Sequence, residues 1–569
     1  MKIRTNRIQL LVWILLLVVA CVAPFHAKTS AAQKLPTTSY YTHGRIYTND
    51  PEHPWAEAMA VSEGRISCIG KMDHVLTDCG GGQEGVESVN LKGRFVMPGF
   101  NDAHVHLGGA GAEELSVPLT GVPSPEEMQK RVADAVARHK PGEWITGGGW
   151  DHTIWPEKRF PNRQQLDAVA PKNPVILTHV SGHVAVANSL ALKSAEIDKH
   201  TPNPPGGEIE HDALGEPTGM LKEDAAMSLV KVRIPDPPVD LRRKGIEMVL
   251  QNVARNGVTS VQDNSAWEDF QVYKQLKEED KLTVRITEWL PFNLPLNELQ
   301  NMQAQGGTRD PWLKVGALKA FLDGAMGSRT AAMLEPYSDD PSTTGILIND
   351  PEKLRVMAIE RDRGGFQLSF HAIGDRANRI ALDVFEAVLK ANGPRDRRDR
   401  IEHAQVVEPL DFVRFAQLKV IASMQPSHQT TDMRWAEDRI GPQRIKGAYA
   451  WSTMLKNGVP LAFGTDYPVE PISPFRGLYA CVTRERPDGG PKNGWEPQEK
   501  VSLEDCIRAY TSGSAYAQFE EGKKGELKPG EYADYVILSN DLTKVPPAQF
   551  TKTRVLRTVV GGRTVYAAE

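Results

Sequence analysis

The sequence predicts an α/β protein in which a (β/α)8 barrel carries a large insertion after its first strand and both chain termini form a small β domain. From about residue 95, short apolar strands alternate with amphipathic helical stretches, which is typical of βαβ units and a parallel sheet. Both chain ends contain strand patterns only, and about 150 residues separate His106 from the next candidate strand. A doubly wound open sheet is the structural alternative.

The two chain ends share a pattern of short strands and tight turns. Ser62-Glu63-Gly64 separates two strands near the N-terminus, and Gly561-Gly562 is a two-residue hairpin turn near the C-terminus. We therefore expect residues 33–97 and 516–569 to form one β domain beside a barrel of residues 98–515. The terminal strands are predicted at 58–61, 65–69, 533–538, 555–560 and 563–566.

Eight candidate strands in the middle of the chain match the number in a closed barrel. A βαβ unit takes about 30 residues, so roughly 120 residues are inserted after the first strand. This insertion, residues 110–245, holds six of the fifteen histidines, and we interpret it as a lid or substrate-binding subdomain. The alternative is that the insertion only stabilises the protein and that its histidines are scattered over the surface. The eight strands are predicted at 95–100, 258–263, 283–289, 315–322, 367–371, 400–404, 420–424 and 460–464.

Residues 1–32 have the order of a secretory signal peptide, with basic residues, an apolar run and then a small, polar segment. The apolar run is short for a membrane-spanning helix, which needs about 20 residues, so an uncleaved anchor is the less favoured interpretation. Cys21 also ends a sequence similar to a bacterial lipobox, which would give a lipid anchor. We expect an exported protein, periplasmic or secreted, in which Cys68 and Cys79 are close enough to close a disulfide loop.

The charge of the chain argues against nucleic acid as a partner. Its 67 Lys and Arg residues nearly balance 72 Asp and Glu residues, which gives a net charge of −5 and no basic footprint. No stable membrane span is expected after processing. The sequence leaves open whether the protein forms a homo-oligomer. We expect the partner to be a small-molecule substrate.

His104 and His106 are the most informative pair in the sequence. Side chains two residues apart on a strand point to the same face, so both imidazoles can reach one metal ion. An isolated His-x-His pair is more often structural. This pair follows an apolar strand and the Pro98-Gly99 break, where a barrel strand would emerge at the catalytic face, and this position favours a metal site.

Further candidate ligands stand at the ends of later predicted strands, and their convergence on one barrel mouth favours a metal centre. Imidazole and carboxylate suit Zn²⁺, and Mn²⁺, Fe²⁺, Co²⁺ or Ni²⁺ are also compatible with them. A lysine ammonium has no acceptor. Lys319 is therefore either carboxylated, presenting carbamate oxygens, or not a ligand. The further candidates are Lys319, His371, His403 and Asp466.

At these residues the chain resembles the amidohydrolase superfamily, and specifically amidohydrolase family 3, the YtcJ-like branch that includes N-substituted formamide deformylases. The resemblance covers essentially the whole mature chain. It implies a distorted (β/α)8 TIM barrel with a β-sandwich formed by both termini, and a centre of one or two divalent metals. The most specific motifs are residues 97–106, 323–331, 371–376, 402–405 and 464–468.

The resemblance also implies roles for the candidate ligands. His104 and His106 would hold the more buried metal, and Lys319, carboxylated, would bridge to a second. His371 and His403 would be ligands of that second metal.

Asp466 would be the catalytic acid and base and a contact of the first metal, according to the same resemblance. It would take the proton of an attacking metal-bound hydroxide or water and return it to the leaving nitrogen. His403, if it is free, would help to polarise the substrate carbonyl.

The substrate contacts predicted from the sequence lie in the insertion and beside the metal motifs. An aromatic ring such as Trp150 can line an apolar pocket, and Arg329 can pair with a carboxylate. The alternative is that Trp150 belongs to a core and that Arg329 pairs internally. The predicted substrate-binding residues are Trp150, Asp151, His179, His183, Arg329 and Tyr467.

The leading interpretation is an exported metal-dependent hydrolase that acts on a non-peptide C–N bond, an amide or N-acyl linkage, of a small molecule. The same metal centre can also open an ester, lactone, carbamate or cyclic amide. A second alternative is a non-catalytic binding or regulatory protein on the same scaffold. The sequence does not identify the substrate.

Overall fold

The computed structural model describes residues 38–83, 88–180, 182–204 and 206–568. The predicted signal peptide, with Cys21, lies outside the described residues. Within the described ranges, no helix has both the length and the apolar character needed to cross a bilayer.

A parallel sheet of eight strands in sequential order forms a nearly closed barrel. Its two ends meet at the carboxyl end, where Val105 bridges to Tyr467 and the Asp466 amide donates to the His104 carbonyl at 2.8 Å. The predicted fold class is confirmed. The strands are Phe100–Val105, Val258–Asp263, Arg285–Pro291, Leu313–Phe321, Leu368–Ala372, Arg400–His403, Ile421–Met424 and Leu461–Phe463.

The predicted first barrel strand, residues 95–100, is wrong. Phe95–Pro98 pairs with Tyr535–Leu538 in the terminal domain, and the barrel begins with Phe100–Val105. The error has a physical reason, because the barrel strand contains the buried polar side chain of Asp102, whose hydrogen bonds replace the apolar pattern expected of a buried strand.

Helices follow the strands and cover the barrel with their apolar faces. In Asp375–Asn392, Ala381, Leu382, Phe385 and Val388 recur at helical spacing and are buried. The barrel-associated helices are Leu107–Glu114, Val239–Arg255, Trp267–Glu278, Leu296–Gly306, Pro351–Arg363, Asp375–Asn392, Asp411–Leu418, Pro426–Asp432, Ala436–Arg444, Trp451–Lys456, Pro474–Thr483, Leu503–Ala509 and Ser512–Tyr516.

The insertion after the first strand is an α/β unit with its own sheet of six strands and its own core. Its core includes Met128, Val132, Trp150 and Leu166. The strands, in sheet order, are Glu208–His211, Pro217–Lys222, Val184–Ala187, Val175–His179, Ile145–Trp150 and Val117–Pro118, and the helices are Pro125–Val136, Arg163–Val169, Ser189–Ser194 and Glu223–Lys231.

Strands from both chain ends form two packed sheets. Tyr41 and Met59 of one sheet share a core with Val96 and Tyr535 of the other, which makes the terminal unit a β-sandwich. One sheet has the order Arg65–Gly70, Ala58–Ser62, Ser39–Thr42 and Ser88–Asn90, and the other Arg563–Ala567, Val555–Val560, Tyr535–Leu538, Phe95–Pro98, Arg45–Tyr47 and Trp55–Ala56, with the helix Met72–Thr77 beside the first.

Two disulfides link the four described cysteines. Cys68 and Cys79 are bonded beside the helix of the terminal domain. Cys481 and Cys506 join two barrel-associated helices. Both bonds are compatible with an oxidising compartment.

Candidate metal centre

His104 and His106 present their Nε2 atoms at the carboxyl end of the barrel. The buried His104 donates from Nδ1 to Oε2 of Glu402 at 2.7 Å, and His106 donates from Nδ1 to the Asn264 carbonyl at 2.9 Å. Because each Nδ1 carries the proton, each Nε2 keeps its lone pair for a metal. Burial and the neighbouring Lys319 lower the pKa of His104 to about 3, so its ring is neutral at pH 7.

Asp466 faces both imidazoles with its Oδ1 atom. This atom lies 3.0 Å from Nε2 of His106 and 3.6 Å from Nε2 of His104. Oδ1 is buried, and it accepts no hydrogen bond from the part of the chain that the structure describes. When both rings are unprotonated at Nε2, the carboxylate oxygen faces two lone pairs, an arrangement that a cation among the three atoms would stabilise. These residues fit a metal.

The spacing of the ligand atoms also fits a metal. In a tetrahedral site with bonds of about 2.0–2.2 Å, neighbouring ligand atoms lie about 3.3–3.6 Å apart. His104, His106 and Asp466 form one set whose ligand atoms all lie within 4.8 Å of one another. His403 and His428 form a second set of the same span with Asp466. One carboxylate thus belongs to two possible ligand sets.

Lys319 lies beside the first set. Its Nζ is 3.1 Å from Nε2 of His104, and the side chain is buried between the rings of Trp289 and Phe321. Burial lowers the pKa of Lys319 to about 8. Lys319 therefore lies beside His104, whereas its role as a ligand, its carboxylation and its role as a bridge stay predictions.

His403 and His371 lie side by side, with ring centroids 4.6 Å apart. His403 donates from Nδ1 to the Gln425 side-chain oxygen at 2.8 Å, which leaves its Nε2 available. His371 instead directs Nε2 to the Gly324 carbonyl at 3.2 Å. Among the described residues, no candidate ligand set includes His371, and its assignment as a ligand stays a prediction.

A buried charged network holds His104 in place. Glu402 accepts from His104, from Ser369 at 2.8 Å and from Nε of Arg400 at 2.5 Å. Arg400 also donates to Ser423 at 2.7 Å. Burial opposes ionisation, but the charge of Arg400 and the bond from His104 hold the pKa of Glu402 well below its usual range.

We expect Glu402→Gln to destabilise the fold and weaken the metal site together. The change leaves the Arg400 guanidinium buried without its counter-charge, which costs about 3–5 kcal/mol of unfolding free energy. It also loosens the orientation of His104, which lowers metal affinity about 10- to 100-fold. Urea unfolding and metal titration by equilibrium dialysis measure the two effects.

The matched control is Ser423→Ala, which removes one neutral partner of Arg400 and costs about 1 kcal/mol. Equal losses of stability in the two variants would contradict the assigned role of the Glu402 charge.

Asp102 is a positioning residue that the sequence reasoning missed. Its Oδ2 accepts from the Thr465 hydroxyl at 2.6 Å, and its Oδ1 accepts from the amides of Thr465 and His104 at 2.9 and 3.2 Å. Burial raises the pKa of Asp102 to about 7. The side chain ties the first strand to the segment that carries Asp466, so it fixes two ligands relative to each other.

His428 is a second residue that the sequence reasoning missed. It stands in Pro426–Asp432, immediately after the barrel strand Ile421–Met424. The signal was weaker than for His371 and His403, which stand at the ends of predicted strands, because His428 follows its predicted strand by four residues. A proline and a serine between the strand and His428 obscured it.

Trp150 is not a substrate contact, and this prediction is wrong. The side chain is fully buried, its indole N–H donates to the Leu177 carbonyl at 2.9 Å, and its ring stacks on Trp155. A large aromatic ring at the end of an inserted strand is used here to fill the core of the insertion, as the alternative interpretation held.

Arg329 pairs within the protein, as the alternative interpretation held, and its role as a carboxylate-binding residue stays a prediction. Its Nε and a terminal nitrogen donate to the two oxygens of Asp339, both at 3.0 Å. This paired arrangement satisfies the fork of the guanidinium.

A cavity of about 880 Å³ lies where the insertion meets the barrel mouth. His179 and Tyr467 line it, and the Tyr467 hydroxyl donates to Glu114 at 3.3 Å. Asp151 accepts from the Thr153 amide and lies 3.8 Å from His179. The cavity thus brings together two predicted substrate-binding residues, His179 and Tyr467, and Tyr467 follows Asp466 in the chain.

His183 lies outside that group of lining residues. It is exposed, and its Nδ1 lies 3.0 Å from a carboxylate oxygen of Glu223. Its prediction as a substrate contact therefore gains no support from the cavity.

Comparisons with known proteins agree with this geometry. Residues 87–566 match the family model described as "Amidohydrolase family". "Protein LONG AFTER FAR-RED 3" of Arabidopsis thaliana is 38% identical over 92% of this chain and 91% of its own. "N-substituted formamide deformylase" of Arthrobacter pascens is 28% identical over 92% of this chain and 97% of its own.

A solved structure is similar over the whole fold. An uncharacterized metal-dependent hydrolase from Pyrococcus furiosus is 31% identical, with a TM-score of 0.74 over 90% of this chain and 100% of its own.

Proposed function

The chain belongs to the amidohydrolase family, and from this membership we propose that it hydrolyses a non-peptide C–N bond, an amide or N-acyl linkage, in a small molecule. One observation carries the proposal: the ligand atoms of His104, His106 and Asp466 converge within 4.8 Å of one another, with Oδ1 of Asp466 3.0 and 3.6 Å from the two Nε2 atoms. The name of the Arthrobacter relative supports a C–N bond as the target.

His104, His106 and Asp466 would hold the metal, with Zn²⁺ the favoured ion and Mn²⁺, Fe²⁺, Co²⁺ or Ni²⁺ compatible with the same donors. A divalent metal at this position supplies Lewis acidity, which polarises a carbonyl and brings the pKa of water near about 7. We include a carboxylated Lys319 in the proposal, since an ammonium group cannot coordinate a cation and Nζ lies 3.1 Å from Nε2 of His104.

Asp466 would move the proton. Its Oδ2 lies 3.6 Å from Nε2 of His428, whereas Oδ1 faces His106, and Oδ2 would accept the proton of the attacking water. The same oxygen would return that proton to the leaving nitrogen, so that the amine departs neutral. Nε2 of His403 keeps its lone pair, because Nδ1 donates to Gln425, so it would accept a proton donor or bind a metal rather than donate to the substrate carbonyl.

The cavity beside the centre is the proposed substrate pocket. Tyr467 follows Asp466 in the chain and lines this cavity, together with His179 of the insertion and Glu113 of the barrel-associated helix Leu107–Glu114. A volume of about 880 Å³ suits a small molecule rather than a folded protein chain. Export is also proposed; N-terminal sequencing of the mature protein tests it.

Metal analysis and a substrate panel test the function. We expect stoichiometric transition metal in the purified protein, and metal-dependent turnover of N-formyl or N-acyl amines that is lost with a chelator and restored by added metal. The panel pairs each amide with the ester, carbamate and cyclic amide of the same acyl group. Carbon-13 NMR after growth with labelled bicarbonate detects the Lys319 carbamate.

Different results would contradict the target bond and the metal-dependent mechanism. Turnover of esters alone would contradict the C–N assignment, and wild-type protein without stoichiometric metal would contradict the mechanism. Bound metal with no turnover across the panel would favour a non-catalytic binding protein on this scaffold.

A further inference from the structure

His428 is a buried imidazole at the barrel mouth to which the resemblance assigns no role. It is the third residue of the helix Pro426–Asp432, which begins with a proline directly after the seventh barrel strand. The side chain is only 11% exposed, so the short helix directs it inward to the centre rather than to solvent.

The Nε2 atom of His428 points at the second oxygen of Asp466. It lies 3.6 Å from Oδ2, whereas Oδ1 of the same carboxylate faces His106 at 3.0 Å. The nitrogen is buried, and within the described part of the chain it has no hydrogen-bond partner. A buried unpartnered ring nitrogen next to a carboxylate oxygen is costly unless a ligand occupies the space between them.

His403 completes the arrangement. Its ring lies nearly parallel to that of His428, at 18° and 6.0 Å between centroids, and its Nδ1 proton is used by Gln425. The backbone of His403 has a φ of 74°, a left-handed conformation that an ordinary residue adopts only at a cost. This conformation directs the imidazole to the centre at the end of the sixth strand.

We propose that His403, His428 and Oδ2 of Asp466 hold a second divalent cation, so that Asp466 bridges two metal positions. This inference rests on the proposed function, because it assumes that the first set binds metal. It differs from the arrangement implied by the resemblance, in which His371 is a ligand of the second ion. The contrast follows from the bond between Nε2 of His371 and the Gly324 carbonyl.

Mixed imidazole and carboxylate ligands suit the same borderline ions as the first set. Two imidazole nitrogens and one carboxylate oxygen leave coordination positions open, which is the composition of a site that meets solvent or substrate rather than a closed structural site. Because Oδ2 of Asp466 cannot hold the second ion and a proton together, its proton-transfer role would belong to the form that holds the first ion alone.

Metal stoichiometry in paired variants tests the inference. Wild-type protein is loaded with Zn²⁺ or Co²⁺ by equilibrium dialysis, and bound metal is measured by mass spectrometry. We expect about two ions per chain in the wild type and about one in His428→Asn, with second-site affinity lowered more than about tenfold. His371→Asn is the matched control and should keep both ions.

Spectroscopy of the Co²⁺ forms gives a readout that does not depend on turnover. Magnetic coupling between two ions that share the Asp466 carboxylate should be present in the wild type and in His371→Asn, and absent in His428→Asn. His428→Asp restores a ligand atom at the position, so it should recover part of the second-site affinity. This variant also controls for a folding defect in His428→Asn.

The outcomes separate this inference from the proposed function. Two ions in His428→Asn, or loss of the second ion in His371→Asn alone, would overturn the assignment of His428. One ion in both wild type and His428→Asn would overturn the second site while the proposed function stands. Wild-type protein without metal would instead overturn the proposed function.

Discussion

His106→Ala should remove the metal from the first ligand set and lower kcat/KM for the best amide substrate by about a thousandfold. The loss corresponds to several kcal/mol of Lewis-acid stabilisation of the transition state. His106 is the cleaner of the two histidines to replace, because its side chain is 27% exposed whereas His104 is fully buried against Glu402. Metal analysis and steady-state kinetics measure the effect.

A surface histidine provides the control for His106→Ala. His200 is exposed in the insertion, so His200→Ala should keep wild-type metal content and rate. Thermal unfolding of metal-free samples should give similar midpoints for the two variants. If His106→Ala kept its full metal content and its rate, the first ligand set would be assigned to the wrong residues.

The parts of the site that could be predicted are those governed by strand periodicity and barrel topology. Side chains two apart on a strand share a face, which brought His104 and His106 together. The carboxyl ends of parallel barrel strands converge, which brought Lys319, His403 and Asp466 to the same place. These rules need only local pattern and strand order.

The first strand could not be predicted by the same reasoning. An apolar run such as Phe95–Pro98 predicts a buried strand but does not specify the sheet in which it pairs. The true barrel strand, Phe100–Val105, was not recognised because it contains the buried Asp102. This side chain accepts a hydrogen bond from Thr465, a residue more than 350 positions away in sequence. Hydrogen-bond partners at that separation are fixed by the fold and not by local pattern.

The substrate contacts could not be predicted from the sequence for a related reason. Trp150 and Arg329 have side chains that serve packing and binding equally well, so their residue types do not decide between the two uses. The structure decides, because Leu177 accepts the indole N–H and Asp339 takes the guanidinium. His428 was missed for a different reason. Its position after a strand was informative, but the proline before it indicated only the start of a helix.

Asp466→Asn should lower kcat for an amide by about 10²- to 10⁴-fold, the range expected when a general acid and base is removed. Asparagine keeps the size of the side chain and tolerates the left-handed backbone, whose φ is 60° at this residue. The backbone contacts of the segment should therefore persist, and thermal unfolding should show a folded protein. Kinetics are measured with one equivalent of metal bound per chain, so that weaker ligation does not limit the rate.

Leaving-group dependence distinguishes proton transfer from metal binding in Asp466→Asn. An amine that leaves poorly needs the proton that Oδ2 would return, whereas an activated leaving group such as a nitrophenolate departs without it. The loss should therefore be large for an alkyl amide and much smaller for a nitrophenyl ester or carbamate of the same acyl group. An equal loss for both substrates, recovered by added metal, would mean that Asp466 acts only as a ligand.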